Sequence, residues 1–140
     1  DLDDLIEMHE EKTVAEIFNE DGEEYFRKTE SKLLKWFKEK KKYVLATGGG
    51  TPCFHDNMNW MKKEGIVIWL DESIDVIMQR LLEQKLTRPL IASMNPEEMH
   101  QFLTKTLTDR TEFYAQAHFR LTGSNITEAH LKNIVQKNAI

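Results

Sequence analysis

The segment Leu45-Ala46-Thr47-Gly48-Gly49-Gly50-Thr51-Pro52 is an apolar run that ends in three consecutive glycines. Glycine has no side chain to pack and loses much conformational freedom on folding, so we expect three together where a ligand must touch the backbone. In an α/β protein that place is the carboxyl edge of a parallel sheet. A flexible turn is the alternative, and the glycines alone do not choose between the two.

The apolar residues around this segment alternate between strand and helix patterns. Tyr43–Thr47 and Ile66–Leu70 are short continuous apolar runs, which predict parallel strands buried on both faces. A third strand is predicted over His118–Thr122. Helix start signals stand at Asp3 or Asp4, Thr13, Asp21-Gly22, Asp56, Asp71 or Ser73, Asn95-Pro96 and Thr127. Strands that alternate with helices predict an α/β fold with a parallel sheet.

Composition limits the classes of function. The chain has 140 residues, 40% of them hydrophobic and 31% charged, which suits one globular domain. The net charge of −5 and the lack of a basic face argue against a nucleic-acid partner. No apolar run has the length of a membrane span. Cys53 is the one cysteine, which excludes an internal disulfide and fits a reducing cytoplasm.

Four arginines are candidates for binding an anion. Arg27 has Glu30 three residues later, so a helix-surface ion pair is its simplest interpretation. Arg88 lies in a polar loop, where no such pair is evident, and Arg110 has acidic neighbours on its helix. Arg80 lies near a helix end, where the dipole favours a cation. Guanidinium groups bind carboxylates and phosphates with two parallel hydrogen bonds.

Two carboxylates stand at the start of the chain in the pattern Asp1-x-Asp3. Such a pair can hold a metal-bound water and accept a proton from a hydroxyl group. It can equally begin a helix.

Taken in order, the motifs resemble those of the shikimate kinase family. The resemblance runs from residue 1 to about residue 125 and rests on Asp1-x-Asp3-x-x-Ile6-Glu7, Ile17-Phe18, Gly22-Glu23, Phe26-Arg27-x-x-Glu30, Thr47-Gly48-Gly49-Gly50, Arg88-Pro89-Leu90 and Arg110-x-x-x-Tyr114. It implies a three-layer αβα P-loop kinase fold, similar to the nucleoside monophosphate kinases. It also implies transfer of the γ-phosphoryl group of ATP to the 3-hydroxyl of shikimate, in aromatic amino-acid biosynthesis.

The resemblance assigns the shikimate site. Asp3 resembles the carboxylate that binds the reacting hydroxyls and serves as the catalytic base, while Arg27 and Arg110 resemble the two arginines that clamp the substrate carboxylate. The shikimate-binding region is expected over residues 3–34. The glycines whose backbone faces the substrate are Gly48, Gly49 and Gly50.

The resemblance also assigns the nucleotide side. Arg88 resembles the catalytic lid arginine that reaches the transferred phosphate, with the lid over residues 84–95. Arg80 is similar to the arginine that stacks on adenine. Asp1 resembles the carboxylate that holds Mg²⁺ through water. ATP is the implied co-substrate and Mg²⁺ the implied cofactor.

One departure from the family is clear. The phosphate-binding segment G-x-x-x-x-G-K-[ST] is absent from the 140 residues, so we expect an incomplete kinase domain over 1–140, without its N-terminal strand and P-loop, that is inactive alone. A related small-molecule kinase, such as a gluconate kinase, and a non-catalytic shikimate-binding module remain alternatives. We expect a cytoplasmic monomer that binds neither membrane nor nucleic acid.

Overall fold

The computed structural model describes residues 1–84 and 89–138. These residues form two compact units, Asp1–Glu64 and Gly65–Ile140. The first unit contains helices α1 (Leu2–Glu10), α2 (Val14–Glu20), α3 (Glu23–Lys35) and α4 (Asn57–Glu64), and 3₁₀ turns at Trp36–Glu39 and Thr51–Cys53.

The first two helices each have a side-chain cap at the N-terminus. The Oδ1 atom of Asp1 accepts hydrogen bonds from the backbone N–H groups of Asp3 and Asp4, at 2.8 and 3.4 Å. The prediction that Asp3 or Asp4 is the cap is therefore wrong, because both lie inside the first turn of α1. The capping box predicted at Thr13 is confirmed, with Glu16 as its second member.

Helix α3 begins after Gly22, whose φ of 87° lies in a region that residues with a Cβ rarely adopt. The helix ends at Lys35 and continues as a 3₁₀ turn. Its buried face combines apolar and polar side chains: Phe26, Leu33 and Leu34 with Arg27, Thr29, Glu30 and Ser31.

The core of the first unit is formed by α1, α2 and α3. Its buried side chains are Leu2, Ile6, Ile17, Phe26, Leu33 and Leu34. Burying one such side chain stabilises the fold by about 1.5–3 kcal/mol, so this cluster fixes how the three helices pack.

The strand predicted at Tyr43–Thr47 is wrong. The segment is not a strand, and the side chain of Val44 is 91% exposed. A strand needs a neighbour to share its hydrogen bonds, and within the described residues no strand pairs with this segment. One backbone hydrogen bond, from the N–H of Leu2 to the carbonyl of Ala46 at 2.9 Å, connects it to α1.

The second unit combines helices with a parallel sheet. Its elements are β1 (Ile68–Asp71), α5 (Ile74–Glu83), α6 (Pro89–Ala92), α7 (Pro96–Tyr114), β2 (Phe119–Thr122) and α8 (Glu128–Asn138), and a 3₁₀ turn at Gly123–Asn125. Ser73 caps α5 and Asn95 caps α7, as predicted. The polar segment predicted at 84–95 contains α6, while 85–88 lie outside the described residues.

Strands β1 and β2 pair in parallel, with Ile68 opposite Phe119 and Asp71 opposite Thr122. The parallel arrangement is confirmed, but burial of β1 on both faces is wrong, since Leu70 is 50% exposed. Among the described residues β1 has β2 as its one partner strand, so the continuous apolar run is not enclosed.

Candidate functional site

A buried arginine is the centre of the candidate site in the first unit. Arg27 lies on α3 and is 8% exposed. Its Nη1 atom donates to both carboxylate oxygens of Glu30, at 3.0 and 3.3 Å. Its Nε atom donates to Glu23 at 3.4 Å. The ion pair expected from the spacing is confirmed, but it is buried rather than on the helix surface, because Glu30 is 1% exposed.

Aromatic rings fix the plane of this guanidinium. The Cζ atom of Arg27 lies 4.3 Å from the ring centroid of Phe54 and 5.2 Å from that of Phe26. Guanidinium groups stack favourably on aromatic faces, so the two rings and Glu30 together restrict the orientation of the side chain. The guanidinium is therefore held in place before any ligand arrives.

The backbone beyond Phe54 is unusual. His55 and Asp56 both have positive φ angles, 50° and 59°, although neither is glycine. Such conformations cost about 1–3 kcal/mol each and are concentrated at ligand sites. Here they form the turn between Phe54, whose ring stacks on Arg27, and the start of α4.

The three glycines pass beside Arg27. A Cβ atom added to Gly50 would lie 2.5 Å from Nη2 of Arg27 and 2.7 Å from Nη1, which is closer than atoms can approach. Gly50 has a φ of −85°, so close approach rather than backbone conformation requires glycine there. Gly48 differs, because an added Cβ would lie 3.5 Å from Oδ1 of Asp3, an ordinary contact.

Asp3 brings a second carboxylate to the same place. Burial raises the pKa of Asp3 above its usual 3.8, and the negative charges of Glu30 and Glu7 raise it further. The positive charge of Arg27 acts in the opposite direction. A carboxylate with a raised pKa holds a proton more tightly and is a stronger base.

A chain of buried hydrogen bonds, which sequence reasoning missed, supports the site. The hydroxyl of Thr51 donates to Oε2 of Glu30 at 2.9 Å, and the side-chain amide of Asn57 donates to the backbone carbonyl of Thr51 at 2.9 Å. The hydroxyl of Ser31 donates to Oδ1 of Asn57 at 2.8 Å. No spacing or periodicity signals such a network, since two of its three hydrogen bonds join residues that are 21 and 26 positions apart in sequence.

The structure therefore brings together several predicted residues within the first unit. Asp3, Arg27, Gly48 and Gly50 converge. Gly49 lies between the two glycines of that loop, and its carbonyl oxygen is 4.0 Å from Sγ of Cys53.

The side chain of Asp1 caps the N-terminus of α1. Both hydrogen bonds that its side chain accepts involve Oδ1. Among residues 1–84 and 89–138, no group of three or more His, Cys, Asp or Glu side chains is arranged to hold a metal ion.

The other predicted arginines belong to the second unit. Arg110 lies on α7 and is partly exposed. Arg80 lies on α5 with an exposed side chain, 3.9 Å from a carboxylate oxygen of Glu72. Arg88 lies outside the described residues.

No described helix has both the length and the apolar character needed to cross a membrane.

Comparison with known proteins gives a consistent match. A family profile described as shikimate kinase covers residues 1–139. The chain is 39% identical over 129 residues to a shikimate kinase of Flavobacterium johnsoniae, covering 91% of this chain and 75% of that protein. It is 43% identical over 117 residues to one of Phocaeicola vulgatus, covering 84% of this chain and 67% of that protein.

Solved structures agree with the sequence match. A crystal structure of shikimate kinase from Bacteroides thetaiotaomicron is similar with a TM-score of 0.84 and 35% identity, over 97% of this chain and 78% of that one. The shikimate kinase of Acinetobacter baumannii in complex with shikimate is similar with a TM-score of 0.82 and 31% identity, over 99% of this chain and 79% of that one. The predicted α/β fold of the P-loop kinase class is confirmed.

Proposed function

This chain belongs to the shikimate kinase family, and from that premise we propose that its first unit forms the shikimate-binding side of an enzyme that phosphorylates the 3-hydroxyl of shikimate with ATP. The products are shikimate 3-phosphate and ADP, which is the leaving group of the transfer. The observation that carries the proposal is the guanidinium of Arg27, held buried beside the glycine loop.

Arg27 binds the shikimate carboxylate in this proposal. Nη1 donates to Glu30 and Nε donates to Glu23, while Nη2 lies beside Gly50. The structure records no acceptor for Nη2 among the residues that it describes, so this nitrogen has hydrogens to donate to a ligand. Charge-assisted hydrogen bonds of this type are roughly twice as strong as neutral ones, which makes Arg27 the main determinant of affinity for an acid.

Asp3 binds the ring hydroxyls and accepts the proton of the 3-hydroxyl as it attacks the phosphoryl group. The raised pKa of Asp3 suits this role, because a more basic carboxylate takes a proton more readily. The backbone of Gly48, Gly49 and Gly50 contributes N–H groups to the substrate, and the absence of a Cβ at Gly50 lets the chain approach Arg27.

The resemblance to the family supports the assignments that remain. Arg88 contacts the transferred phosphate, Arg80 stacks on adenine and Arg110 gives the substrate carboxylate a second guanidinium. Asp1 suits an outer-sphere role towards Mg²⁺, because its carboxylate is the right donor type and both of its backbone hydrogen bonds involve Oδ1. When bound, Mg²⁺ neutralises phosphate charge.

The chemistry requires little covalent work from the protein. Phosphoryl transfer depends on positioning the reactants and on stabilising charge. A carboxylate fixed by guanidinium groups holds the small ring so that one hydroxyl faces the phosphate. We place residues 3–34 on the substrate side and 84–95 in a lid that excludes water. We also place this enzyme in the cytoplasm as a monomer, with the single cysteine as support for a reducing compartment.

Calorimetric titration of the 140-residue chain with shikimate tests the proposal. Binding is the readout because it does not require the phosphate-binding motif that these residues lack. We expect shikimate to bind and gluconate, an acid without the ring, to bind much more weakly. Absence of shikimate binding, or equal binding of the two acids, would contradict the proposal.

A further inference from the structure

Four side chains connect the clamp to the rest of the first unit through buried hydrogen bonds. Ser31 donates to Asn57, Asn57 donates to the carbonyl of Thr51, and the hydroxyl of Thr51 donates to Glu30. All four are buried, and Thr51 and Asn57 have no exposed surface. Hydrogen bonds in such surroundings are strong, and their geometry is well defined.

Thr51 is the member of this network that joins the glycine loop to the arginine. Its backbone N–H donates to the carbonyl of Gly48 at 3.1 Å, so it closes the turn formed by the three glycines. Its hydroxyl holds Oε2 of Glu30 at 2.9 Å. The carboxylate of Glu30 in turn holds Nη1 of Arg27 through both oxygens.

The Thr51 hydroxyl restricts the orientations that the carboxylate of Glu30 can adopt. A glutamate side chain has several rotatable bonds, and Arg27 alone does not select one orientation of the carboxylate. The additional hydrogen bond from Thr51 to Oε2 of Glu30 limits those orientations. The direction of Nη2 depends on how Nη1 is held, because the guanidinium is planar and rigid.

We propose that Thr51 is a positioning residue for the carboxylate clamp: its hydroxyl orients Glu30, and Glu30 orients the guanidinium of Arg27 towards the acid group of the substrate. This inference rests on the proposed function and adds a residue that itself touches no substrate. Thr51 thereby contributes to the preference for an acid over an uncharged analogue.

The test compares shikimate with its methyl ester, which keeps the ring and its hydroxyls but lacks the negative charge. Thr51→Val removes the hydroxyl at nearly constant volume, and Thr51→Ser retains it as the matched control. Ligand-observed NMR and calorimetry measure both affinities. Thr51→Val is expected to weaken shikimate binding about tenfold, the effect of losing a buried hydrogen bond to a charged group, and to leave ester binding unchanged. Thr51→Ser, which keeps the hydroxyl, is expected to bind shikimate as tightly as the unsubstituted chain does.

Other outcomes overturn the proposal in distinct ways. Equal weakening of acid and ester would show a general structural role, and unchanged acid binding would show that the hydroxyl does not act on the clamp. If Thr51→Val fails to fold, Thr51→Ala replaces it. Unfolding of both variants would show that the hydroxyl serves the fold alone, which also overturns the proposal. Failure of the unsubstituted chain to bind shikimate would refute the proposed function instead.

Discussion

The two units bury different kinds of side chain. Within residues 1–84 and 89–138, every buried polar or charged residue lies in the first unit: Arg27, Thr29, Glu30, Ser31, Thr51 and Asn57. The fully described buried side chains of the second unit are apolar: Ile91, Met99 and Leu103. Each unit also has an arginine–carboxylate pair, buried at Arg27–Glu30 and exposed at Arg120–Asp71.

The buried residues of the second unit serve packing, whereas those of the first unit include an ion pair to which we assign a binding role. A buried ion pair loses hydration, and replacing it by apolar side chains of similar size is often neutral or stabilising. Stability alone therefore does not explain Arg27 and Glu30. The binding of an anionic ligand that we propose would explain them, because it requires a guanidinium that is already oriented and already dehydrated.

Substitution of Arg27 is the strongest test of this difference between the two units. We expect Arg27→Ala to weaken shikimate binding by at least about a hundredfold, because several charge-assisted hydrogen bonds are lost together. Calorimetry measures the affinity, and Arg120→Ala is the matched control, since it removes an arginine from the second unit. Equal losses in the two variants would remove the basis for placing the clamp in the first unit.

Arg27→Ala also leaves Glu30 buried without its partner, which costs about 3–5 kcal/mol of stability. Arg27→Lys separates the two effects, because it keeps a positive charge near Glu30. A lysine is a point charge without the planar fork, so affinity should still fall while denaturant unfolding recovers much of the stability. Full recovery of affinity by lysine would show that charge alone suffices.

The glycine loop offers a second, smaller test. In Gly50→Ala the new methyl group must displace the guanidinium of Arg27, since an ideal Cβ lies 2.5 Å from Nη2. We expect about a tenfold loss of shikimate affinity, comparable to the loss of one charged hydrogen bond. Gly65→Ala, where an added Cβ meets no atom within 4 Å, serves as the control. Similar affinities for the two alanine variants would contradict the close-approach explanation.

Local chemistry explains which parts of the fold could be predicted. The capping box at Thr13 and the Asn95-Pro96 helix start depend on residues close in sequence, and both were predicted correctly. The strand predicted at Tyr43–Thr47 and the burial of β1 depend on which strands lie alongside. A single apolar run contains no information about its neighbours in a sheet, so both predictions failed.

The same distinction, between features set by nearby residues and features set by long-range contacts, applies to the candidate site. Asp3, Arg27 and the glycines were recognised from motifs, and the structure brings them together. Thr51, Asn57 and Ser31 were missed, because an ordinary threonine after a glycine run has no pattern of its own. Their roles depend on contacts that α3 makes with the glycine loop and with α4, and these contacts exist only in the folded unit.

Asp3 should limit the stability of the first unit near neutral pH. Because burial and neighbouring carboxylates raise the pKa of Asp3, the folded state holds its proton more tightly than the unfolded state does. Stability is therefore lost as pH rises from the unfolded pKa of 3.8 through the folded pKa. We expect Asp3→Asn to raise the melting temperature near neutral pH, with the difference shrinking on acidification towards 3.8.

Asp4→Asn is the control for this experiment. Asp4 occupies the same first turn of α1 but is exposed, so its replacement removes the same favourable interaction with the helix dipole without relieving burial. Thermal unfolding of the three proteins across pH measures the difference. A stability gain in Asp4→Asn equal to that in Asp3→Asn would assign the effect to net charge rather than to the site.

The exposed ion pair of the second unit, Arg120–Asp71, should contribute least to the free energy of unfolding. Arg120 donates through Nε and Nη2 to Oδ2 of Asp71, and its Cζ atom lies 4.7 Å from the ring centroid of Trp69, but its side chain is 59% exposed. Exposed ion pairs contribute about 0–1 kcal/mol and are screened by salt. Arg120→Ala should therefore change the free energy of unfolding by less than about 1 kcal/mol, and by less again at high salt. A loss above about 2 kcal/mol in denaturant titration would mean that exposure does not separate the two arginines, and the contrast between the units would lose its energetic meaning.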